Sequence, residues 1–239
     1  MNPIPKVAIV MPYYNEIELL KRSVDGVMKQ SFSNWKLFIV DDGSSKENRA
    51  DHIIIQNRQI KIINKPNSGV SDARNRALDH IQAEGGFTHI AYCDADDIWK
   101  EMHLMESIRI LEITKADMTY STPEFQMVDG SPAVPFGITL YESYPGLDSL
   151  KKQNFIYISS VVHKIDCCSV GGFDKELNSL EDWDMWLRIA ETGFSIEQGL
   201  LRFPSLIYTC KPAGNGSRRT EEVYQKVLKK HALTNNTNS

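Results

Sequence analysis

The sequence predicts an α/β fold with a mostly parallel central sheet flanked by helices. Two observations carry that reading. Short apolar runs alternate with stretches whose apolar residues recur at helical spacing, the pattern of repeated βα units. Acids and aromatics gather directly after three of the runs, at Tyr13–Glu16, Asp41-Asp42 and Asp94–Asp97. Ligands of open α/β sheets bind at the carboxyl ends of the strands, so these three ends point to one shared ligand.

The elements follow in order. Val7-Ala8-Ile9-Val10-Met11 is an apolar run stopped by Pro12, the look of a strand buried on both faces. Ile17, Leu20, Val24, Val27 and Met28 then trace an amphipathic helix of about three turns. Trp35–Val40 reads as the second strand and ends in Asp41-Asp42-Gly43-Ser44-Ser45. A weaker helix near Glu47–Asn57 and a short strand at Ile60–Ile63 come next. Asn67-Ser68-Gly69 breaks the chain before a helix with Ala73, Ala77 and Ile81 on one face, which Gly85-Gly86 closes. His89–Cys93 is the fourth strand. Met105, Ile108 and Leu111 mark a further helix, with a strand at Met118–Ser121 after it.

The second half is less regular. Residues 122–150 carry prolines and glycines between Gly130 and Gly146 with little periodicity, as a loop-rich substrate wall would. Phe155–His163 reads as a strand and Gly171-Gly172-Phe173-Asp174 as a turn. Glu181–Thr192 is a helix that opens with acids, as the macrodipole prefers, and places Trp183, Trp186, Leu187 and Ala190 at helical spacing. Leu200–Tyr208 reads as a last strand, Arg218–His231 as a surface helix, and Thr234–Ser239 as a polar, frayed tail. No repeat or linker divides the chain, so the expectation is one domain over residues 1–239.

Composition narrows the function classes. A net charge of -4 argues against a broad nucleic-acid surface. The lysines at 226, 229 and 230 read as a solvated helix face with a weak attraction for anionic membrane. The cysteines at 93, 167, 168 and 210 show no CxxC spacing and the adjacent pair is a poor disulfide, so the expectation is reduced thiols in a cytoplasmic protein. No apolar run approaches ~18 residues, and the opening residues do not read as a signal peptide. There is no GxGxxG after the first strand and no GxxxxGK[ST], which removes the usual dinucleotide and P-loop readings.

Asp94-Ala95-Asp96-Asp97 is the strongest chemical signal. Like charges crowded at a strand end repel, and burying them unpaired is costly. A divalent cation resolves that cost, and hard carboxylate oxygens suit Mg or Mn. Three acids exceed what a helix cap requires, although Asp97 fits a cap of the next helix.

Taken together, the motifs resemble the family 2 inverting glycosyltransferases of GT-A (Rossmann-like) fold. The matching pieces are Val10-Met11-Pro12-Tyr13-Tyr14-Asn15-Glu16, Val40-Asp41-Asp42-Gly43-Ser44, Asn67-Ser68-Gly69 with Ala73-Arg74-Asn75, and Asp94-Ala95-Asp96-Asp97-Ile98-Trp99. Gly171-Gly172-Phe173-Asp174 with Glu181-Asp182-Trp183 completes the set in family order.

The resemblance implies a nucleotide-diphosphate-sugar donor held by residues 1–121 and an acceptor-side region over residues 122–239. Pro12, Tyr14 and Glu16 then line the nucleoside pocket, with Tyr14 near the base. Asp42 takes the place of the acid that accepts from a uracil ring nitrogen, which favours UDP. Arg74 lies near the base or the diphosphate. Asp94 approaches ribose and metal, and Asp96 ligates the Mn or Mg that bridges the diphosphate oxygens. Asp182 is the general base.

The implied activity is hexosyl transfer to a hydroxyl of a saccharide or lipid-linked saccharide, as in cell-surface polysaccharide synthesis. A lipid-linked acceptor implies a peripheral contact with the cytoplasmic face of the membrane. The alternatives are a nucleotidyltransferase, whose Gly- and basic-rich signature the first strand lacks, and an inactive nucleotide-sugar-binding module. The chain departs from the family after the last strand, where many relatives carry Arg and then His-Pro. Thr209 and Lys211 stand there instead, and a charged lysine has no lone pair for a metal but can meet phosphate. Arg218 and Arg219 add positive charge nearby.

Overall fold

The computed structural model describes residues 4–52, 57–134, 141, 143–177, 179–199, 204–211 and 221–232. Its first half holds β1 (Val7–Tyr13), α1 (Ile17–Met28), β2 (Trp35–Asp41), β3 (Ile60–Asn64), α2 (Val70–Glu84), β4 (His89–Tyr92), β5 (Ile98–Trp99), α3 (His103–Thr114) and β6 (Met118–Tyr120). Then follow β7 (Glu124–Met127), α4 (Leu147–Lys152), β8 (Val162–Lys164), α5 (Glu181–Glu191), β9 (Ile196–Gln198), β10 (Leu206–Cys210) and α6 (Glu221–Lys230).

Among the described residues a seven-stranded sheet runs in the order β3-β2-β1-β4-β8-β6-β9, and β5-β10-β7 form a small second sheet. The large sheet is mostly parallel, with β8 antiparallel to both of its neighbours. Side chains alternate between its two faces. Ala8, Val10, Phe38 and Val40 join the core with α2 and α5, whereas Ile9, Met11, Leu37 and Ile39 join the core with α1 and α3. Burial on both sides explains why β1 and β2 read as continuous apolar runs.

Pro12 does not stop β1. The strand continues to Tyr13, and Pro12 pairs in register with Val40. Pairing with β4 ends at Val10, whose carbonyl accepts from Cys93 N, while Tyr13 O accepts from Asp42 N on the opposite side. By alternation Pro12 faces the β4 side beyond the end of β4, so its missing N–H leaves no ladder bond unmade.

Three other expectations change. The stretch expected as a helix near Glu47–Asn57 forms 3-10 turns at Lys46–Asn48 and Ala50–His52, and residues 53–56 lie outside the described residues. The cause is Asp41, whose carboxylate accepts from Ser44 N at 2.8 Å and Ala50 N at 2.9 Å and curls the chain around itself. The Phe155–His163 run is not one strand. It makes a 3-10 turn at Ile158–Ser160 before β8, because Ser160 bonds back to Tyr157 O through both N (2.9 Å) and Oγ (2.6 Å). The last strand begins at Leu206 and reaches Cys210, and residues 200–203 and the expected tail lie outside the described residues.

The helix expected over 218–231 spans Glu221–Lys230. It buries Val223, Val227 and Leu228, and Tyr224 stacks on Trp183 with ring centroids 5.6 Å apart. Its lysine face is not wholly solvated, since Lys230 pairs with Asp174 at 2.7 Å and Asp184 at 2.8 Å. Trp183 and Trp186 are core residues with no exposure. No described helix is long and apolar enough to cross a membrane. All four cysteines are free.

Candidate active site

The carboxyl ends of β1, β2 and β4 open into a cleft of about 600 Å³ whose lining includes Pro12, Tyr14, Glu16, Asp42, Asp94, Asp96 and Lys211. Asn15 takes a left-handed backbone at φ 59°, which Asn tolerates well. Its N–H donates to Ser44 Oγ at 2.9 Å and its side-chain oxygen accepts from Ser45 N at 2.7 Å, tying the loop after β1 to the loop after β2. Gly43 lies in the same corner with φ 79°, and a Cβ there would stand 2.6 Å from Asn67 N. Glycine is required. Tyr14 is 51% exposed at the cleft, an open ring face for a flat ligand.

Asp42 is 5% exposed and accepts from Ser68 N and Gly69 N, each at 2.9 Å, and from the Lys65 ammonium. It therefore shapes the 65–69 loop as well as lining the cleft. Lys65 also pairs with Asp72 at 3.0 Å, a link across seven residues that spacing alone did not reveal.

Asp94, Asp96 and Asp97 bring ligand oxygens within 4.8 Å of one another. The chain folds this way because Asp94 N donates to Ser159 Oγ at 2.9 Å and Trp99 Nε1 donates to Ser159 O at 2.7 Å, so the 3-10 turn braces the acidic loop. Burial, and then Asp94, push the Asp96 carboxyl up, with Lys211 pulling the other way. Asp97 does not cap α3, which starts six residues later. It is 1% exposed, accepts from Thr209 N at 2.9 Å and so ties the acidic loop to β10. Its Oδ2 is buried without a hydrogen-bond partner, and burial with the two neighbouring acids holds its carboxyl well above the usual range. An all-oxygen cluster with an orphaned buried carboxylate oxygen fits a hard divalent cation.

Arg74 lies beneath the cleft rather than in it, 2% exposed. It donates to Asp94 at 2.8 and 3.1 Å and to Glu181 at 2.6 Å, and its guanidinium stands 5.3 Å from the Phe173 ring centre. The two carboxylates hold it firmly charged against the cost of burial. It thus joins the end of β4 to the start of α5.

Asp182 stands in the first turn of α5, which begins directly after Leu180 at φ 60°, a left-handed backbone that is costly for leucine. Its carboxylate accepts from Asn154 Nδ2 at 3.0 Å and from Trp183 N at 2.7 Å. Burial, and then Glu181, push its carboxyl up to about 7, against the pull of Arg74 and the two hydrogen bonds. Asp182 does not line the cleft that Pro12, Asp42 and Asp96 share. Burial, and then the charges of Asp97, Asp96, Asp94 and Asp182, push the Tyr208 phenol up. From the sequence, Glu181, Asn154 and Tyr208 carry no expected role at the site. Their partners lie far along the chain, and only Glu181 carried a signal, as the acid beside Asp182. Lys211 is in place at the cleft, whereas Arg218 and Arg219 lie outside the described residues.

A mostly parallel sheet with an acidic cleft at its strand ends, and an antiparallel strand leading to the helix that carries a further acid, is the build of a GT-A glycosyltransferase. The family model for glycosyl transferase family 2 matches residues 8–171, and the chain belongs to that family of enzymes.

Among its relatives is the UDP-Glc:alpha-D-GlcNAc-diphosphoundecaprenol beta-1,3-glucosyltransferase WfgD of Escherichia coli. It is 29% identical over 184 residues, covering 77% of this chain and 69% of WfgD. The putative teichuronic acid biosynthesis glycosyltransferase TuaG of Bacillus subtilis is 27% identical over 195 residues, 80% of this chain and 74% of TuaG. The solved structure of S. aureus TarS 1-349 in complex with UDP-GlcNAc superposes with a TM-score of 0.76 at 17% identity, covering 95% of this chain and 65% of that one. Against the longer TarS structure the chain spans 39% of the length, with a TM-score of 0.74.

Proposed function

We propose that this glycosyltransferase is inverting and metal-dependent, moving a sugar from a UDP-sugar to a hydroxyl of a saccharide or lipid-linked saccharide. The observation that carries the reading is the Arg74 bridge. One buried guanidinium ties Asp94, at the acidic end of the cleft, to Glu181, the neighbour of Asp182, so donor acids and base stand in a fixed relation. A UDP donor is supported by the UDP-GlcNAc bound in the similar TarS structure and by the UDP-Glc in the name of WfgD. The diphosphoundecaprenol in that name supports a lipid-linked acceptor, which in this reading the enzyme meets at the cytoplasmic face of the membrane.

In this reading Pro12, Tyr14 and Glu16 receive the nucleoside, with Tyr14 offering its exposed ring to the base. Asp42 contributes through the loop it holds as well as through its own oxygens. Asp96, with Asp94, would hold Mn or Mg, which supplies Lewis-acid stabilisation of the charge that develops on the departing diphosphate. Asp182 accepts the acceptor hydroxyl proton as that oxygen bonds to the anomeric carbon. The bond from that carbon to the diphosphate oxygen breaks on the opposite face, so the configuration inverts in one displacement. Residues 1–239 act as one catalytic domain, residues 1–121 serving the donor and 122–239 the acceptor. Support comes from the central sheet, which draws strands from both parts.

The test is UDP release across a panel of nucleotide-sugars, with Mn, with Mg and with chelator. UDP-sugars are expected to turn over only with a divalent ion. Turnover confined to GDP- or dTDP-sugars would overturn the donor assignment, and full turnover in chelator would overturn the metal.

A further inference from the structure

Lys211 already stands where the proposed ion would act. Its ammonium is 3.0 Å from Asp96 Oδ2 and also hydrogen-bonds Glu16 Oε2, bridging the loop after β1 and the loop after β4 across the cleft. Its side chain is 18% exposed, against 48% for Glu16, so the contact with Asp96 is the more sheltered of the two. The other acids are differently served. Asp94 has Arg74, and Asp97 is bound by backbone Thr209 N. Asp96 takes its countercharge from Lys211.

An ammonium and a divalent ion on one carboxylate repel each other, so binding of the ion must displace Lys211. Lysine suits such a displacement. It has no lone pair to ligate with, its four-carbon stem swings without backbone movement, and its compact charge meets phosphate oxygens readily. The cleft it lines is where the donor's diphosphate would lie.

We propose that Lys211 is an exchange residue. Its ammonium pairs with Asp96 and Glu16 in the free enzyme, and it passes to the donor's diphosphate when the divalent ion takes Asp96. This rests on the metal reading of Asp96 given above. It makes ion and nucleotide binding cooperative, because the ammonium that the ion displaces becomes a ligand for the nucleotide.

The test uses the full chain and binding alone. Mn is titrated without nucleotide, following free Mn by electron paramagnetic resonance, for wild type, Lys211→Met, Lys211→Gln and Lys211→Arg. UDP is then titrated calorimetrically into each Mn-loaded protein. Both neutral variants should bind Mn about fivefold tighter than wild type, as loss of a partly sheltered competing ion pair implies, and Lys211→Arg should stay near wild type. UDP affinity for the Mn-loaded neutral variants should fall about tenfold, the loss of a charge-assisted phosphate contact. Equal or weaker Mn binding in both neutral variants, or unchanged UDP binding, overturns the exchange. If Mn binds none of the four proteins while UDP still binds, the metal reading itself has failed and the exchange with it.

Discussion

Asn154 donates its side-chain amide to Asp182 Oδ2 across 3.0 Å, joining the segment after α4 to the first turn of α5. Burial and Glu181 push the Asp182 carboxyl up to about 7, and the Asn154 bond holds it down from a still higher value. As the proposed base, Asp182 works only when ionised, so kcat/KM should rise with pH to about 7 and level off above it. Asn154→Ala should move that limb to higher pH, lowering turnover several-fold near about pH 6 and little near about pH 9. Parallel pH–rate profiles check this, and an unmoved limb would separate Asn154 from the base.

Arg74 shares a buried guanidinium between two acids. Arg74→Met leaves both carboxylates without their cation and should cost about 3 kcal/mol of stability, the scale of a broken buried ion pair. Arg74→Lys keeps the charge but not the fork, so it should lose less stability and still weaken UDP binding. Urea midpoints measured alongside UDP affinity separate the two effects. A wild-type midpoint for Arg74→Met would show that the bridge holds nothing.

Asp184 has no side-chain exposure and pairs with Arg188, Lys230 and His231, fastening α6 to α5. Its carboxyl is held down to about 2, chiefly by hydrogen bonds from His231 and Lys230 that outweigh burial. The folded pKa lies below the unfolded value of about 3.9, so this stabilisation is present above about pH 4 and fades as pH falls towards 2. His231 is raised by Asp184 and Glu191, so its contribution is full below about 6.5 and is lost as pH rises through its folded pKa. Docking of α6 should therefore be firmest between about pH 4 and about pH 6.5. Hydrogen exchange of the amides of 221–230 reads this directly. Asp184→Asn should speed that exchange and flatten its pH dependence.

Gly43→Ala forces a Cβ against Asn67 N on a left-handed backbone and should cost about 1–3 kcal/mol. The shift falls on the Asn67–Gly69 turn that Asp42 holds, so nucleotide affinity should drop with stability. Thermal unfolding with and without UDP checks both.

The first half of the fold was legible because β1, β2 and β4 are buried on both faces and their helices keep a clean period. The second half was less so. Phe155–His163 has a strand's composition, yet Ser159 and Ser160 spend their hydrogen bonds on the acidic loop and on Tyr157, which turns the chain. The strands β5, β7 and β9 run two to four residues, too short for alternation to declare them. Of the proposed site residues, Asp94, Asp96 and Asp182 stood out in the sequence by charge and by family motif. Arg74 was expected near the base or the diphosphate; its actual partners, Asp94 and Glu181, lie 20 and 107 residues away, so spacing could not show the bridge. Lys211 was legible as a cation, but not its hold on Asp96.

The most direct measurement is sugar transfer and UDP binding by Asp182→Asn beside wild type, with saturating Mn and a donor found active. UDP affinity should stay near wild type, since Asp182 lies outside the cleft, while transfer falls about 100-fold or more. Transfer within a few-fold of wild type would contradict Asp182 as the base, and with it the account of how this site works.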